Sequence, residues 1–160
     1  QFDAHRDTAK SSFLDHGSFV RFAMNERLID PAKSIQVGIR TFYDLDDPIT
    51  VLHRPWVRQH GVAALVAEIE RVTAGMPCYL TFDIDCVDPA YAPGTGTPVV
   101  DGLTPGEIFD TIRTLGNINV VGMDLVEVSP PYDTSGATAI AGAHVAYELI
   151  CLYHWARTQR

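Results

Sequence analysis

Continuous apolar runs and amphipathic stretches alternate along this chain. Apolar runs typical of strands that are covered on both faces lie at 34–39 (SIQVGI), 49–52, 78–84 and 118–126 (INVVGMDLV). Residues 1–2 resemble the tail of a further strand. Helices are predicted between these runs, at 18–28, 62–72, 104–115 and 137–157, with a loop over 8–17.

Three short signals fix the predicted helix boundaries. Asp30-Pro31 ends the first helix, because the residue before a proline avoids the helical region. Gly75 stops the second helix. Thr104 begins the third as an N-cap, with proline in the first helical position and Glu107 in the third.

Strands that alternate with helices predict an α/β fold of three layers, in which a mainly parallel sheet lies between helices. We find no internal boundary and predict that residues 1–160 belong to a single domain. In such sheets ligands bind at the carboxyl ends of the strands. The predicted strand ends carry Asp3, Asp83, Asp85 and Glu127.

Acidic and imidazole side chains form two short clusters, each after a phenylalanine. The first is Asp3, His5 and Asp7 in FDAHRD, and the second is Asp83 and Asp85 in FDIDCVDP. In an extended chain alternate residues share a face, so each cluster would point one way. A lone D-x-D is typical of a solvated loop, but both clusters together predict a site for manganese or a similar ion. The number of carboxylates favours two ions.

Composition restricts the class of partner. The net charge of −8 disfavours nucleic acid and anionic membranes as partners. No apolar run approaches the roughly 20 residues that span a bilayer. Cys78, Cys86 and Cys151 form no zinc pattern, which predicts a cytoplasmic location.

The segment 88–102 (DPAYAPGTGTPVVDG) is rich in glycine and proline. A flexible linker is one interpretation. Its apolar residues and prolines instead favour an ordered loop that shapes a pocket. It lacks the lysine and helix start of a phosphate-binding loop.

Three segments resemble the ureohydrolase family, which includes the arginases and agmatinases. They are FDAHRD, FDIDCVDPAYAPGTGTPV and GMDLVEVSPPYD, and the second is more similar to the agmatinase branch. The resemblance implies an arginase/deacetylase-like fold and two manganese ions. It implies that Asp3 and Asp83 bridge the ions, that Asp7 completes one of them, and that His5 and Asp85 complete the other.

The resemblance also implies a reaction. Glu127 would pair with the guanidinium of the substrate and His16 would relay a proton, although a strand-end salt bridge and an exposed loop histidine are the structural alternatives. The expected reaction converts agmatine to putrescine and urea, with guanidinobutyrate or another linear guanidino compound as the alternative substrate. A homo-oligomer, trimer or hexamer, is implied as well.

One family feature has no counterpart here. The family carries a further metal-binding histidine in a G-G-D-H segment, together with more N-terminal strands, and His53, His60, His144 and His154 lie in no such context. His144 and His154 are expected to be packing or surface residues. We therefore expect the C-terminal part of a ureohydrolase domain, which could be an inactive metal-binding or interaction subunit. A metal-dependent deacetylase of the same fold is disfavoured, because the paired clusters indicate two metals.

Overall fold

The computed structural model describes residues 1–42 and 46–158. Its strands are β1 (Ile35–Ile39), β2 (Thr50–His53), β3 (Pro77–Asp83) and β4 (Asn119–Val126). Its α-helices are α1 (Phe19–Asn25), α2 (Arg54–Thr73), α3 (Pro105–Thr114) and α4 (Ala137–Thr158). Short 3-10 helices cover Pro31–Lys33, Ile84–Cys86 and Pro130–Tyr132. The predicted mainly parallel α/β class is confirmed.

The strands form two parallel pairs that a single residue joins. β1 pairs with β2, and β3 pairs with β4. Phe2 lies between the pairs and bridges in parallel to Val37 of β1 and to Phe82 of β3. Its N–H donates to the carbonyl of Thr81 (3.0 Å), and its carbonyl accepts from the N–H of Asp83 (2.9 Å). The predicted strand tail at 1–2 is therefore the centre of the arrangement.

The strands and helices enclose an apolar core. α2 packs on β1 and β2, α4 packs on β4, and α3 contacts both α2 and α4. Phe82, Ile84, Leu65 and Ile39 are completely buried at the centre. Burial on both faces explains why β1 reads as a continuous apolar run.

The helix α2 begins eight residues before its predicted start. The predicted helix 62–72 is its second part, and Gly61, with a φ of 78°, separates it from a first part that begins at Arg54. Proline near the start and glycine at the break interrupt the apolar spacing, so the sequence pattern does not reveal this first part of the helix.

The predicted cap of α3 is confirmed: Thr104 accepts from the N–H of Glu107, and the Glu107 carboxylate accepts from the N–H of Thr104. Among the described residues, none of the helices combines the length and apolar character that crossing a bilayer requires.

Candidate metal and substrate site

The carboxyl ends of the strands open into one cavity of about 700 Å³. Asp3 follows the Phe2 bridge, Asp83 is the last residue of β3, and Glu127 comes directly after β4. The cavity is lined by all the predicted site residues: Asp3, His5, Asp7, His16, Asp83, Asp85 and Glu127. The chain thus brings these residues together, while their individual roles remain predictions.

The first cluster is shaped by a turn and not by an extended strand, so the predicted alternation of faces is wrong here. Directly after Phe2 the chain bends, and Asp3 Oδ1 accepts from the N–H of His5 (2.7 Å). Asp7 has a left-handed φ of 53°. The side-chain amide of Gln1 donates to Asp3 Oδ2 (2.6 Å) and to Asp7 Oδ2 (3.0 Å), which brings these two carboxylates close together.

The second cluster is also not extended, because Asp85 lies within the 3-10 helix that follows β3. Asp83 caps this turn by accepting from the N–H of Asp85 (2.8 Å). The N–H of Ala4 donates to Asp85 Oδ1 (3.0 Å), which ties the second cluster to the first. A tight turn can also present both aspartates to one cavity. The predicted proximity of Asp83 and Asp85 therefore holds, although the predicted extended backbone is wrong.

Among the described residues, Asp3, His5 and Asp85 form a set that could hold a metal ion. Each offers one ligand atom, and these atoms lie within 4.8 Å of one another. His5 Nδ1 is 2.9 Å from Asp85 Oδ2 and 3.5 Å from Asp3 Oδ1. Both aspartates are buried, with exposures of 2% and 1%. Two carboxylates and an imidazole on buried, fixed backbone fit a divalent cation.

The ionisation of the cluster shows how crowded its carboxylates are. Burial, followed by the negative charge of Asp3, raises the pKa of Asp7 to about 8 and that of Asp83 to about 9. Hydrogen bonds to Asp3 and then to Asp85 raise the pKa of His5 to about 10. Burial raises the pKa of Asp85, but hydrogen bonds from His5 and Ala4 outweigh it and lower the pKa overall. A bound cation would relieve this repulsion, so the residues present fit a metal.

Glu127 and His16 line the same cavity and are exposed to solvent. Glu127 has a left-handed φ of 65°, which turns the chain at the end of β4. A side chain placed on Gly96 would have its Cβ 3.8 Å from Glu127 Oε2, so the glycine-rich loop runs beside this carboxylate. The exposed carboxylate of Glu127 lies in the same cavity as the buried cluster, so it can bind a cationic group while the buried carboxylates serve as metal ligands.

The segment 88–102 is an ordered loop, as predicted, and it contributes Thr97 to the cavity wall. The carbonyl of Gly94 accepts from the N–H of Ser129 (2.8 Å), and the N–H of Gly94 donates to Thr138 Oγ1 (2.8 Å). The hydroxyl of Thr97 donates to Asp85 Oδ2 (3.2 Å). Thr97 was not singled out from the sequence, although the loop that carries it was.

Asp124 is a second residue that sequence reasoning missed. It lines the cavity and accepts hydrogen bonds from the hydroxyls of Tyr79 (2.9 Å) and Thr81 (2.7 Å). A single aspartate inside the apolar run of β4 was the available signal. The prediction for His144 and His154 holds, because both are exposed. The thiol of Cys86 is buried and does not line the cavity.

Comparison with known proteins identifies the family. The model of the arginase family matches residues 1–151. The agmatinase of Proteus mirabilis is 54% identical over 152 residues, which cover 94% of this chain and 50% of that protein. The chain therefore spans about half the length of the curated relatives it matches.

Solved structures agree. The crystal structure of a hypothetical agmatinase from Burkholderia thailandensis has a TM-score of 0.95 at 50% identity, covering 99% of this chain and 51% of that one. Proclavaminate amidino hydrolase from Streptomyces clavuligerus has a TM-score of 0.92 at 38% identity, covering 96% of this chain and 54% of that one. With a family model that matches nearly all of its residues, this chain belongs to the arginase family.

Proposed function

We propose that this chain carries the metal-binding and guanidinium-binding part of an amidinohydrolase that converts agmatine to putrescine and urea. The observation that carries the proposal is the convergence of Asp3, His5 and Asp85 in one cavity with Glu127. The similarity to agmatinases that are 54% and 53% identical in sequence supports this choice of substrate. Guanidinobutyrate or another linear guanidino compound is the alternative within the same chemistry.

Two manganese ions are the proposed cofactors, in keeping with the general metal dependence of the arginase family. Asp3 and Asp83 would be shared between the ions, Asp7 would hold one of them, and His5 with Asp85 would hold the other. When bound, such ions offset the carboxylate charge and lower the pKa of water, so that a strong nucleophile exists at neutral pH.

Glu127 would bind the substrate guanidinium through charge-assisted hydrogen bonds. In the net reaction the guanidino carbon gains the oxygen of water and loses its bond to the alkyl nitrogen. The departing amine needs a proton, and the exposed imidazole of His16 could supply it across the cavity. Glu127 and His16 would thus set the orientation of the substrate and the direction of proton transfer.

The properties of the whole protein are also proposals. We infer that residues 1–160 form the C-terminal part of a single ureohydrolase domain, which works in the cytoplasm as a homo-oligomer, a trimer or hexamer. A second candidate is a non-enzymatic, metal-binding or interaction subunit.

Parallel assays of urea release from agmatine, guanidinobutyrate and arginine, with added Mn²⁺, test the proposal. We expect the highest kcat/KM with agmatine, and loss of the reaction when Mn²⁺ is removed by a chelator. A preference for arginine would overturn the substrate assignment. Stoichiometric Mn²⁺ binding with no urea from any of the three compounds would instead favour the non-enzymatic subunit.

A further inference from the structure

Arg40 directly follows β1 and donates hydrogen bonds to backbone carbonyls of two separate segments. Its Nη2 lies 2.7 Å from the carbonyl oxygen of Asp85 and 2.6 Å from that of Val99. Its Nε lies 3.2 Å and 3.0 Å from the carbonyl oxygens of Val99 and Val100, and its Nη1 lies 3.4 Å from that of Cys86. The planar guanidinium therefore joins the turn after β3 to the glycine- and proline-rich loop.

Both segments carry side chains of the site. The turn after β3 presents Asp85, and the loop presents Thr97, whose hydroxyl donates to Asp85 Oδ2 (3.2 Å). The main chain of Arg40 reaches the first cluster as well, because its N–H donates to the carbonyl of Ala4 (3.1 Å). Ala4 in turn donates to Asp85 Oδ1. One residue thus connects three backbone segments that surround one carboxylate.

The geometry needs arginine and not just a positive charge. A guanidinium presents five N–H donors in a rigid plane, whereas a lysine ammonium offers three donors on a flexible stem. Lysine at this position could satisfy one segment at a time. The carbonyl of Asp85 and that of Val99 would then be free to move apart, although the net charge would not change.

We propose that Arg40 is a positioning residue, which fixes Asp85 and Thr97 relative to each other and so sets the affinity of the site for its cation. The link to the cation rests on the proposed function. The link between the two segments rests on the hydrogen bonds alone. Arg40 touches neither metal nor substrate in this scheme, and acts through the backbone of residues that do.

Arg54 offers a matched control at the other end of the same loop. It is buried, its Nε donates to the carbonyl of Gly102 (2.8 Å), and its guanidinium pairs with both oxygens of Glu107 (2.9 and 3.1 Å). Arg54→Lys should therefore disturb the loop and the fold as much as Arg40→Lys does, but away from the metal ligands.

The experiment compares the wild-type chain, Arg40→Lys and Arg54→Lys. Mn²⁺ titrations followed by electron paramagnetic resonance give the dissociation constant, and hydrogen exchange of the metal-free chains reports on the backbone. For Arg40→Lys we expect a dissociation constant about 10- to 100-fold higher and faster exchange over 84–87 and 95–100. For Arg54→Lys we expect a lower Tm and an unchanged dissociation constant.

Each outcome decides the proposal. Unchanged Mn²⁺ affinity and unchanged exchange in Arg40→Lys would overturn it, as would equal losses of affinity in both variants. If Arg40→Lys and a second variant, Arg40→Gln, both fail to fold, the role is structural and the proposal falls. If the wild-type chain binds no Mn²⁺, the proposed function fails. In that case, hydrogen exchange over 84–87 and 95–100 in Arg40→Lys decides whether Arg40 holds the two segments together.

Discussion

At the scale of single residues, the most informative contact is that of His5 with two aspartates. Its imidazole lies between Asp3 and Asp85, and these contacts raise its pKa to about 10. In the metal-free chain a protonated imidazole thus supplies the positive charge that the carboxylates need. A metal that uses His5 as a ligand must displace this proton, so binding of Mn²⁺ should tighten as the pH rises.

The same groups predict how the stability of the metal-free chain depends on pH. The pKa of Asp7 rises from its ordinary value of 3.8 to about 8 on folding, and that of Asp83 to about 9. At pH values between the ordinary and the raised pKa of each group, the folded chain holds protons that the unfolded chain has lost. The free energy of unfolding must therefore fall as the pH rises through this range. His5 acts in the same direction between its ordinary pKa of 6.5 and about 10.

We therefore expect urea denaturation without metal to give a lower free energy of unfolding at about pH 9 than at about pH 6, because the folded chain releases these protons in between. Saturating Mn²⁺ should reduce the difference, since the cation replaces the protons. A metal-free chain that gains stability over this range would contradict the proximity of the carboxylates.

Glu127 should act on the substrate and not on the metal. Glu127→Gln keeps the shape of the side chain but removes the charge that would pair with a guanidinium. We expect normal Mn²⁺ content and a kcat/KM that falls by about 10²-fold, on the order of one lost charged contact of ~3 kcal/mol. The matched control is Glu68→Gln on the surface of α2, where the carboxylate pairs with Arg71. Loss of metal from Glu127→Gln would place Glu127 among the ligands.

At the scale of elements, a bulge in β1 shapes the site. The register between β1 and β2 is irregular between Val37 and Ile39, and Gly38 there has a φ of 92°. A Cβ on Gly38 would lie 3.1 Å from the carbonyl oxygen of Asp3. Because Gly38 has no Cβ, β1 approaches the backbone of the first cluster at a distance that a side chain at this position would strain.

Gly38→Ala should weaken both the fold and the metal site. A left-handed φ costs a residue with a side chain about 1–2 kcal/mol, and the contact with Asp3 adds to this. Gly75→Ala is the control, because Gly75 has a φ of 72° and open space around it. We expect both variants to lose stability in urea denaturation, but only Gly38→Ala to bind Mn²⁺ more weakly. Equal Mn²⁺ affinity in the two variants would show that the bulge in β1 does not shape the metal site.

These elements show what the sequence could predict and what it could not. The apolar runs located β1, β3 and β4 to within a residue or two, and the Thr104 cap gave the start of α3, because both signals are local. The clusters predicted the location of the site. The turns that carry Asp3 and Asp85 were missed although they are local, because an aspartate that accepts from the N–H two residues on has the same D-x-D or D-x-H pattern as an extended strand end. Asp124 and Arg40 were missed because their partners, Tyr79 for Asp124 and Asp85 and Val99 for Arg40, lie far away in sequence.

At the scale of the whole molecule, the outer edge of β4 stands out. In the part of the chain that the structure describes, β4 pairs with β3 alone, and Val121 and Val126 are 52% and 40% exposed. An exposed strand edge with apolar side chains is a template for pairing with another chain.

We expect residues 1–160 on their own to self-associate through this edge. Val121→Lys should raise the fraction of monomer in light scattering after size exclusion, because a charge on an edge strand opposes pairing. Leu14→Lys, at an exposed loop residue, is the control and should leave the distribution unchanged. A wild-type chain that is monomeric at high concentration would rule out this role for the edge.

The position of Phe2 between the two strand pairs has a consequence for the folding kinetics. β1 with β2, and β3 with β4, can form from neighbouring parts of the chain, but Phe2 bridges to both pairs at once. Closing such long loops is entropically costly, so this contact should come after the local ones. Asp3, His5 and Asp7 follow Phe2 directly, so we expect the ligand cluster to assemble with this late contact, after the main barrier. A cation that binds it would prolong the lifetime of the folded chain without hastening its formation.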